Sequence, residues 1–157
     1  ERTPEANALW KEIGILGAEV RTAGSLITTS CPVDLSIKAS SYLWVKSLLC
    51  GGDTAAVVVV NENIASDRLG TMVKPCANAQ VTVTLPSWLS PNSVLEVSAD
   101  GIKDVASKRE GSHLTLDLGT VDISRFVLIT SDTSLKSRLQ KRYDEKFAAN
   151  VKELKAN

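Results

Sequence analysis

His113 is the only histidine in the chain, so acid–base or nucleophilic chemistry would be sought there first. It opens a predicted strand directly after a turn, and no serine or cysteine motif of the nucleophile-elbow kind accompanies it. His113 therefore reads as a surface or sheet-edge residue. Paired carboxylates are the next chemistry, because Glu62 or Asp67, brought near Asp100 or Asp104 by strand pairing, has the residue types for glycoside hydrolysis. Turns recruit Asp for backbone reasons, which makes these acids solvated turn residues by default. Asn61, Glu62, Asn63 and Asp67 also offer oxygen ligands suited to a calcium ion, though without the spacing of a calcium loop. No other cofactor is expected, since no Gly-rich phosphate cradle precedes a helix.

Aromatic side chains provide a second kind of site, stacking on sugar rings, yet they make up only 4% of the residues. Trp88 lies in the proline-bounded loop Pro86-Ser87-Trp88-Leu89-Ser90-Pro91, where it either stacks on a ligand or plugs the end of a sandwich, the plug being favoured. The candidate ligand-binding residues are thus Trp88, Asn61, Glu62 and Asp67. Trp10, Tyr42 and Trp44 are candidate contacts to another domain, Trp10 from a helix and the other two from a strand. Cys31, Cys50 and Cys76 lie far apart with no Cys-x-x-Cys pair, so neither a zinc site nor a redox motif is readable, and buried thiols are favoured over one disulfide plus an unpaired cysteine.

The elements that must position these residues begin with a helix. Thr3 can cap it, Pro4 suits its first position, and Ala6, Leu9, Trp10, Ile13, Leu16, Gly17 and Val20 recur at helical spacing until Gly24 ends the run. Gly14 and Gly17 weaken an isolated helix by up to about 1 kcal/mol each, which suggests a backbone packing closely against them. From Val33 the period changes to two. Strands are predicted near 33–37, 42–49, 54–60, 79–85, 93–97, 102–107, 112–118 and 125–130, with hairpin turns at Ser98-Ala99-Asp100-Gly101 and Arg109-Glu110-Gly111-Ser112 joining three strands in a meander.

The hairpin from Tyr42 through Gly51-Gly52-Asp53 to Asn61 has no polar face, and such a pair of strands wants cover on both sides. The segment 62–74 is the longest irregular connection and the candidate functional loop. After Thr130, Ser131 or Asp132 caps one long terminal helix whose stripe is Leu135, Leu139, Tyr143, Phe147, Val151 and Leu154. The expected organisation is an N-terminal helix over 1–27 that packs on the sandwich or on a domain outside this sequence, a β-sandwich over 28–131 and a C-terminal helix over 132–157. In fold class this is a mainly β protein, an antiparallel β-sandwich of about eight strands with a helix at each end.

Composition bounds the function. A chain of 157 residues suits one domain that buries roughly 70% of its unfolded surface. Eighteen basic residues balance eighteen acidic ones, which argues against a nucleic-acid or anionic-membrane partner. The longest apolar run, Ala55 to Val60, is far short of the roughly 20 residues of a membrane span. Glu1 rather than Met opens a sequence that is already helix-like, so we expect a processed chain or a piece of a longer polypeptide, the piece being favoured.

Several segments taken in order resemble a known family: the hairpin, Val81 to Leu85 followed by Pro-Ser-Trp-Leu, Val94-Leu95-Glu96-Val97, Leu114-Thr115-Leu116-Asp117-Leu118, and Arg125-Phe126-Val127-Leu128-Ile129-Thr130. They look like the C-terminal β-sandwich that follows the (β/α)8 barrel in many bacterial glycoside hydrolases, with Leu9-Trp10-Lys11-Glu12-Ile13 to Leu26 resembling the helix that finishes the barrel side. The catalytic carboxylates of that family reside on the barrel, so the resemblance assigns no catalytic residue here. It implies a non-catalytic accessory domain that packs on a catalytic barrel in an exported, extracellular or periplasmic, carbohydrate-active protein. The helix from Asp132 to Lys155 is longer than that family's usual ending. Two other readings stand beside this one: an autonomous carbohydrate-binding module using Trp88 and the 62–74 loop, and a structural protein that oligomerises through its apolar hairpin or terminal helix.

Overall fold

The computed structural model describes residues 3–68 and 70–156, without the side chains of Pro4, Glu5 and Asp67. Its elements run α1 (Pro4–Thr22), α2 (Gly24–Thr28), β1 (Cys31–Pro32), β2 (Ile37–Ala39), β3 (Leu43–Leu49), β4 (Thr54–Asn61), β5 (Ile64–Asp67), β6 (Gly70–Val73), β7 (Cys76–Thr84), β8 (Ser93–Ser98), β9 (Gly101–Asp104), β10 (Ala106–Glu110), β11 (His113–Val121), β12 (Ser124–Thr130), α3 (Leu135–Lys146) and α4 (Ala148–Ala156). Two antiparallel sheets stack. One has the order β1-β3-β4-β12-β8-β9, the other β10-β11-β7-β2, and β5-β6 forms a separate ribbon.

The strands obey their period of two. Val57, Val59, Val127 and Ile129 turn inward against Val81, Val83, Leu114 and Leu116 of the facing sheet. Their neighbours Ala56, Leu128 and Leu95 turn outward, where Leu135 and Leu139 of α3 and Ala23, Leu26 and Ile27 around α2 cover them. The central strands of the larger sheet are therefore buried on both faces, which is why β4 and β12 read as continuous apolar runs. The hairpin's demand for cover is met on one side by the second sheet and on the other, over its Leu48–Ala56 end, by the helices.

Several local expectations are corrected. The segment 33–37 is mostly a crossing between β1 on the larger sheet and β2 on the smaller, with Leu35 inserted in the core on the way. The predicted strand 102–107 divides at Val105, where the chain passes from β9 in one sheet to β10 in the other, so the expected meander is a sheet-to-sheet crossover. The connection 62–74 carries the ribbon β5-β6, because Ile64 opposite Val73 and Ala65 opposite Met72 pair across it. Gly24 does not end the first helix. The bend falls at Ala23, which is fully buried, and Gly24 begins the short α2 that turns Leu26 and Ile27 onto the sheet.

The terminal helix likewise bends at Phe147, separating α3 from α4, so that Tyr143, Phe147 and Val151 close on Ala18 of α1. Asp132 serves its start, with Oδ1 accepting from the Ser134 N–H at 2.8 Å. Of the cysteines, Cys50 is buried and its thiol pKa is pushed up by that burial, whereas Cys31 is exposed and Cys76 is half-buried; all three are free.

Candidate functional site

Helix α1 presents its larger apolar face outward. At 100° per residue, Leu9, Ile13, Leu16 and Val20 fall on one narrow stripe, and these four side chains are between 48% and 61% exposed. The opposite face is built of small residues. Ala18 and Thr22 are buried, and a Cβ added to Gly14 would stand 2.8 Å from Leu154 Cδ1, so α4 approaches at Gly14 through a side chain and not through the backbone that the glycine suggested. Gly17 borders the exposed stripe, and nothing lies within 4 Å of where its Cβ would be. A helix that packs through glycine, alanine and threonine while turning leucine, isoleucine and valine to water has its preferred burial reversed.

The stripe forms one wall of a groove. Leu16, Glu19, Val20 and Ile27 face Val58, Val97 and Phe126 on the outer surface of the larger sheet. The groove continues along Leu9, Glu12 and Ile13 on one side and Asp122, Ile123 and Ser124 on the other. Ile123 is 66% exposed at the turn into β12. Register extends the apolar surface across the sheet, since Trp44 pairs with Val60, which pairs in turn with Ser124. Trp44 is 44% exposed, with the Lys46 ammonium 5.9 Å from its ring centroid. Helices α2 and α3 cover one half of this sheet face and leave the other half open.

Charged groups sit inside the groove. Arg125 Nε lies 3.3 Å from Glu96 Oε1, and its guanidinium donates to the Thr120 carbonyl at 2.6 Å. Glu19 is half-buried, and its carboxyl pKa is raised chiefly by that burial; the Ala99 N–H, donating to it, opposes the shift, and the Glu96 charge adds to it.

Trp10, Tyr42 and Trp44 are all exposed, Trp10 on α1 beside the stripe and the other two at one end of β3. Tyr42 has φ +67°, a left-handed conformation that costs a non-glycine residue about 1–2 kcal/mol. Trp88 is 49% exposed and its neighbour Leu89 is fully buried in the inter-sheet core, so Leu89 is the plug that had been expected of Trp88. Asn61 is buried, and its amide nitrogen donates to the carbonyls of Lys74, Val121 and Asp122 while its oxygen accepts from the Asn63 N–H. That side chain is spent on tying three segments together.

Glu62 follows Asn61, with its N–H donating to the Tyr42 carbonyl at 2.7 Å, and the side chain of Asp67 lies outside the described residues. Asp100 and Asp104 do not face a second acid but pair with lysines, Asp100 with Lys103 and Lys155, Asp104 with Lys136. Among the described residues no three His, Cys, Asp or Glu side chains gather as metal ligands. His113 is exposed, its Nδ1 3.3 Å from Thr84 Oγ1. No helix among the described residues is long and apolar enough to cross a membrane.

The sequence shows the stripe of α1 and leaves open whether it packs on the sandwich or on another domain, and nothing in it marks Ile123, Glu19 or Arg125 as groove residues. The available signal was the small-residue face Gly14, Ala18 and Thr22, which marks the side of closest helix packing.

Fold and groove together define a helix-capped antiparallel β-sandwich with an open, largely apolar groove. No family model and no curated protein matches the sequence. Among solved structures, the chain is similar to part of a cycloisomaltooligosaccharide glucanotransferase from Paenibacillus sp., complexed with cycloisomaltoheptaose, with 74% of this chain overlapping 21% of that one at 10% identity and a TM-score of 0.61. An alpha-L-fucosidase isoenzyme 2 from Paenibacillus thiaminolyticus matches 61% of this chain with 15% of its own, at 8% identity and a TM-score of 0.46. The chain thus spans about a fifth or less of the length of these structures. The likeness to the glucanotransferase is one of fold.

Proposed function

We propose that this chain is a non-catalytic accessory β-sandwich of a larger carbohydrate-active, glycoside-hydrolase-like protein, and that it works by packing on the catalytic domain. The observation that carries this reading is the reversed packing of α1, whose Leu9, Ile13, Leu16 and Val20 are turned away from the sandwich. Domain interfaces within a chain bury roughly 600–1,500 Å² of mixed surface, and an apolar stripe with polar groups beside it has that character. The glucanotransferase supports the reading because the similar fold there forms about a fifth of a longer sugar-processing chain. Export to an extracellular or periplasmic location belongs to the same proposal.

The test is the polypeptide as encoded, carrying Leu16→Asp together with Val20→Asp. The expected result is a lower melting temperature for the catalytic domain, while the 157-residue chain alone loses only the smaller helix-propensity cost of the two aspartates, because both side chains are already about half exposed. A polypeptide without a second domain, or one whose catalytic domain ignores the substitutions, overturns the reading.

A second reading, an autonomous carbohydrate-binding module, is favoured by the exposure of Trp88 in its proline-bounded loop. Retardation on a polysaccharide affinity gel that disappears in Trp88→Ala would support it, and retardation that survives the substitution removes Trp88 as the site.

A further inference from the structure

The groove is apolar along its walls and acidic along its rim. Glu12, Glu19, Glu96 and Asp122 line it, and Arg125 is the one basic residue among its lining residues, already engaged with Glu96 and the Thr120 carbonyl. Among the described residues none of Glu12, Glu19 and Asp122 has an ion pair. The whole chain carries no net charge, so this is a local excess of negative charge rather than a general property of the surface. Glu19 stands where the two stretches of the groove meet, with apolar neighbours on its own helix, Leu16 and Val20.

We propose that the surface occupying this groove is an apolar ridge of the catalytic domain bearing a lysine or arginine whose cationic head reaches Glu19. The inference rests on the accessory-domain reading and adds the chemistry of the partner. An apolar ridge alone would cover Glu19 and finish desolvating a carboxylate that has no cation at ion-pair distance, Arg125 and Lys155 acting on it only from farther away. A basic side chain supplies the missing charge in a site already shielded from water. A second copy of this chain fits poorly, because a two-fold contact through α1 sets one acidic rim against another.

The test titrates the isotope-labelled 157-residue chain with two synthetic amphipathic helical peptides that share their leucines, one with lysine and the other with glutamate on the polar face. The lysine peptide is expected to bind at least about tenfold more tightly, with NMR shifts centred on Leu16, Val20, Ile123 and Phe126. Glu19→Gln should shrink that preference to within about threefold while the leucine-driven shifts persist. Equal binding of the glutamate peptide, or shifts away from the groove, overturns the proposal. So does a dimer in sedimentation whose formation shifts the groove resonances without peptide, since the occupant is then a second copy.

The two readings fail separately. A lysine preference in a protein whose catalytic domain ignores Leu16→Asp with Val20→Asp sinks the accessory role, and with it the catalytic domain as the occupant, while the groove's basic preference stands; the reverse pattern sinks only the basic partner.

Discussion

The Tyr143 hydroxyl donates to the Ala99 carbonyl at 2.6 Å, fastening helix α3 to the turn between β8 and β9. The same turn is held from other sides. Glu19 of α1 accepts from the Ala99 N–H, Gln140 Oε1 accepts from the Ile102 N–H at 2.9 Å, and Lys155 of α4 pairs with Asp100. Helices from opposite ends of the chain are thereby locked to one corner of the sandwich, which sets the angle at which α1 carries its exposed stripe. Tyr143→Phe keeps the ring but strands the carbonyl, and should cost about 1 kcal/mol in a urea titration. An unchanged midpoint would mean that water replaces the hydroxyl without loss.

Asn61 should be among the most sensitive polar positions. Asn61→Ala leaves the Lys74, Val121 and Asp122 carbonyls and the Asn63 N–H without their partner, so we expect a loss of roughly 3 kcal/mol, measured by chemical denaturation. Faster exchange of amides in the β5-β6 ribbon should accompany it.

Gly17→Ala tests the open face of α1 directly. With nothing within 4 Å of the new methyl group, the isolated chain should gain up to about 1 kcal/mol from helix propensity. A loss of stability instead would show that the chain packs something against that face after all.

Two carboxylates give opposite pH trends. Burial holds the Glu19 pKa above its unfolded value, so the native state keeps that proton more tightly, and its contribution, complete below the unfolded pKa, fades as pH rises through the folded one. Asp100 is held low, first by its hydrogen bond with Lys155 and then by that with Lys103; its contribution is present above the ordinary aspartate pKa and fades as pH falls through the lowered value. In urea midpoints measured against pH, Glu19→Gln should flatten the decline on the higher-pH side, and Asp100→Asn should flatten the acid limb. A Glu19→Gln profile that follows the unmodified protein would refute the burial of that carboxylate.

Much of the architecture was legible residue by residue. The apolar hairpin spans β3 and β4, Gly101 and Gly111 take positive φ at the two expected turns, and Leu135, Leu139, Tyr143, Phe147 and Val151 form one buried stripe. These features depend on local rules of period, turn geometry and amphipathicity, which neighbours in sequence largely satisfy by themselves. The division at Val105 was hidden because no glycine or proline marks it, and the all-exposed β10 shows no alternation that would assign it to either sheet. Asn61 was read as a ligand because its residue type is common in loops, and its burial comes from Lys74, Val121 and Asp122, which are remote along the chain.

The order of residues alone pointed to an antiparallel sandwich or barrel with apolar central strands and amphipathic helices at its ends, because backbone periodicity and side-chain polarity leave few other arrangements. Which face of α1 meets the domain was a tertiary choice. The helix has a large apolar face and a small-residue face, and either can be buried. Close approach of α4 at Gly14 and of Phe147 near Ala18 selected the small face, since only short side chains allow helices to pack that tightly. Leu9, Ile13, Leu16 and Val20 were left exposed beside an acidic rim.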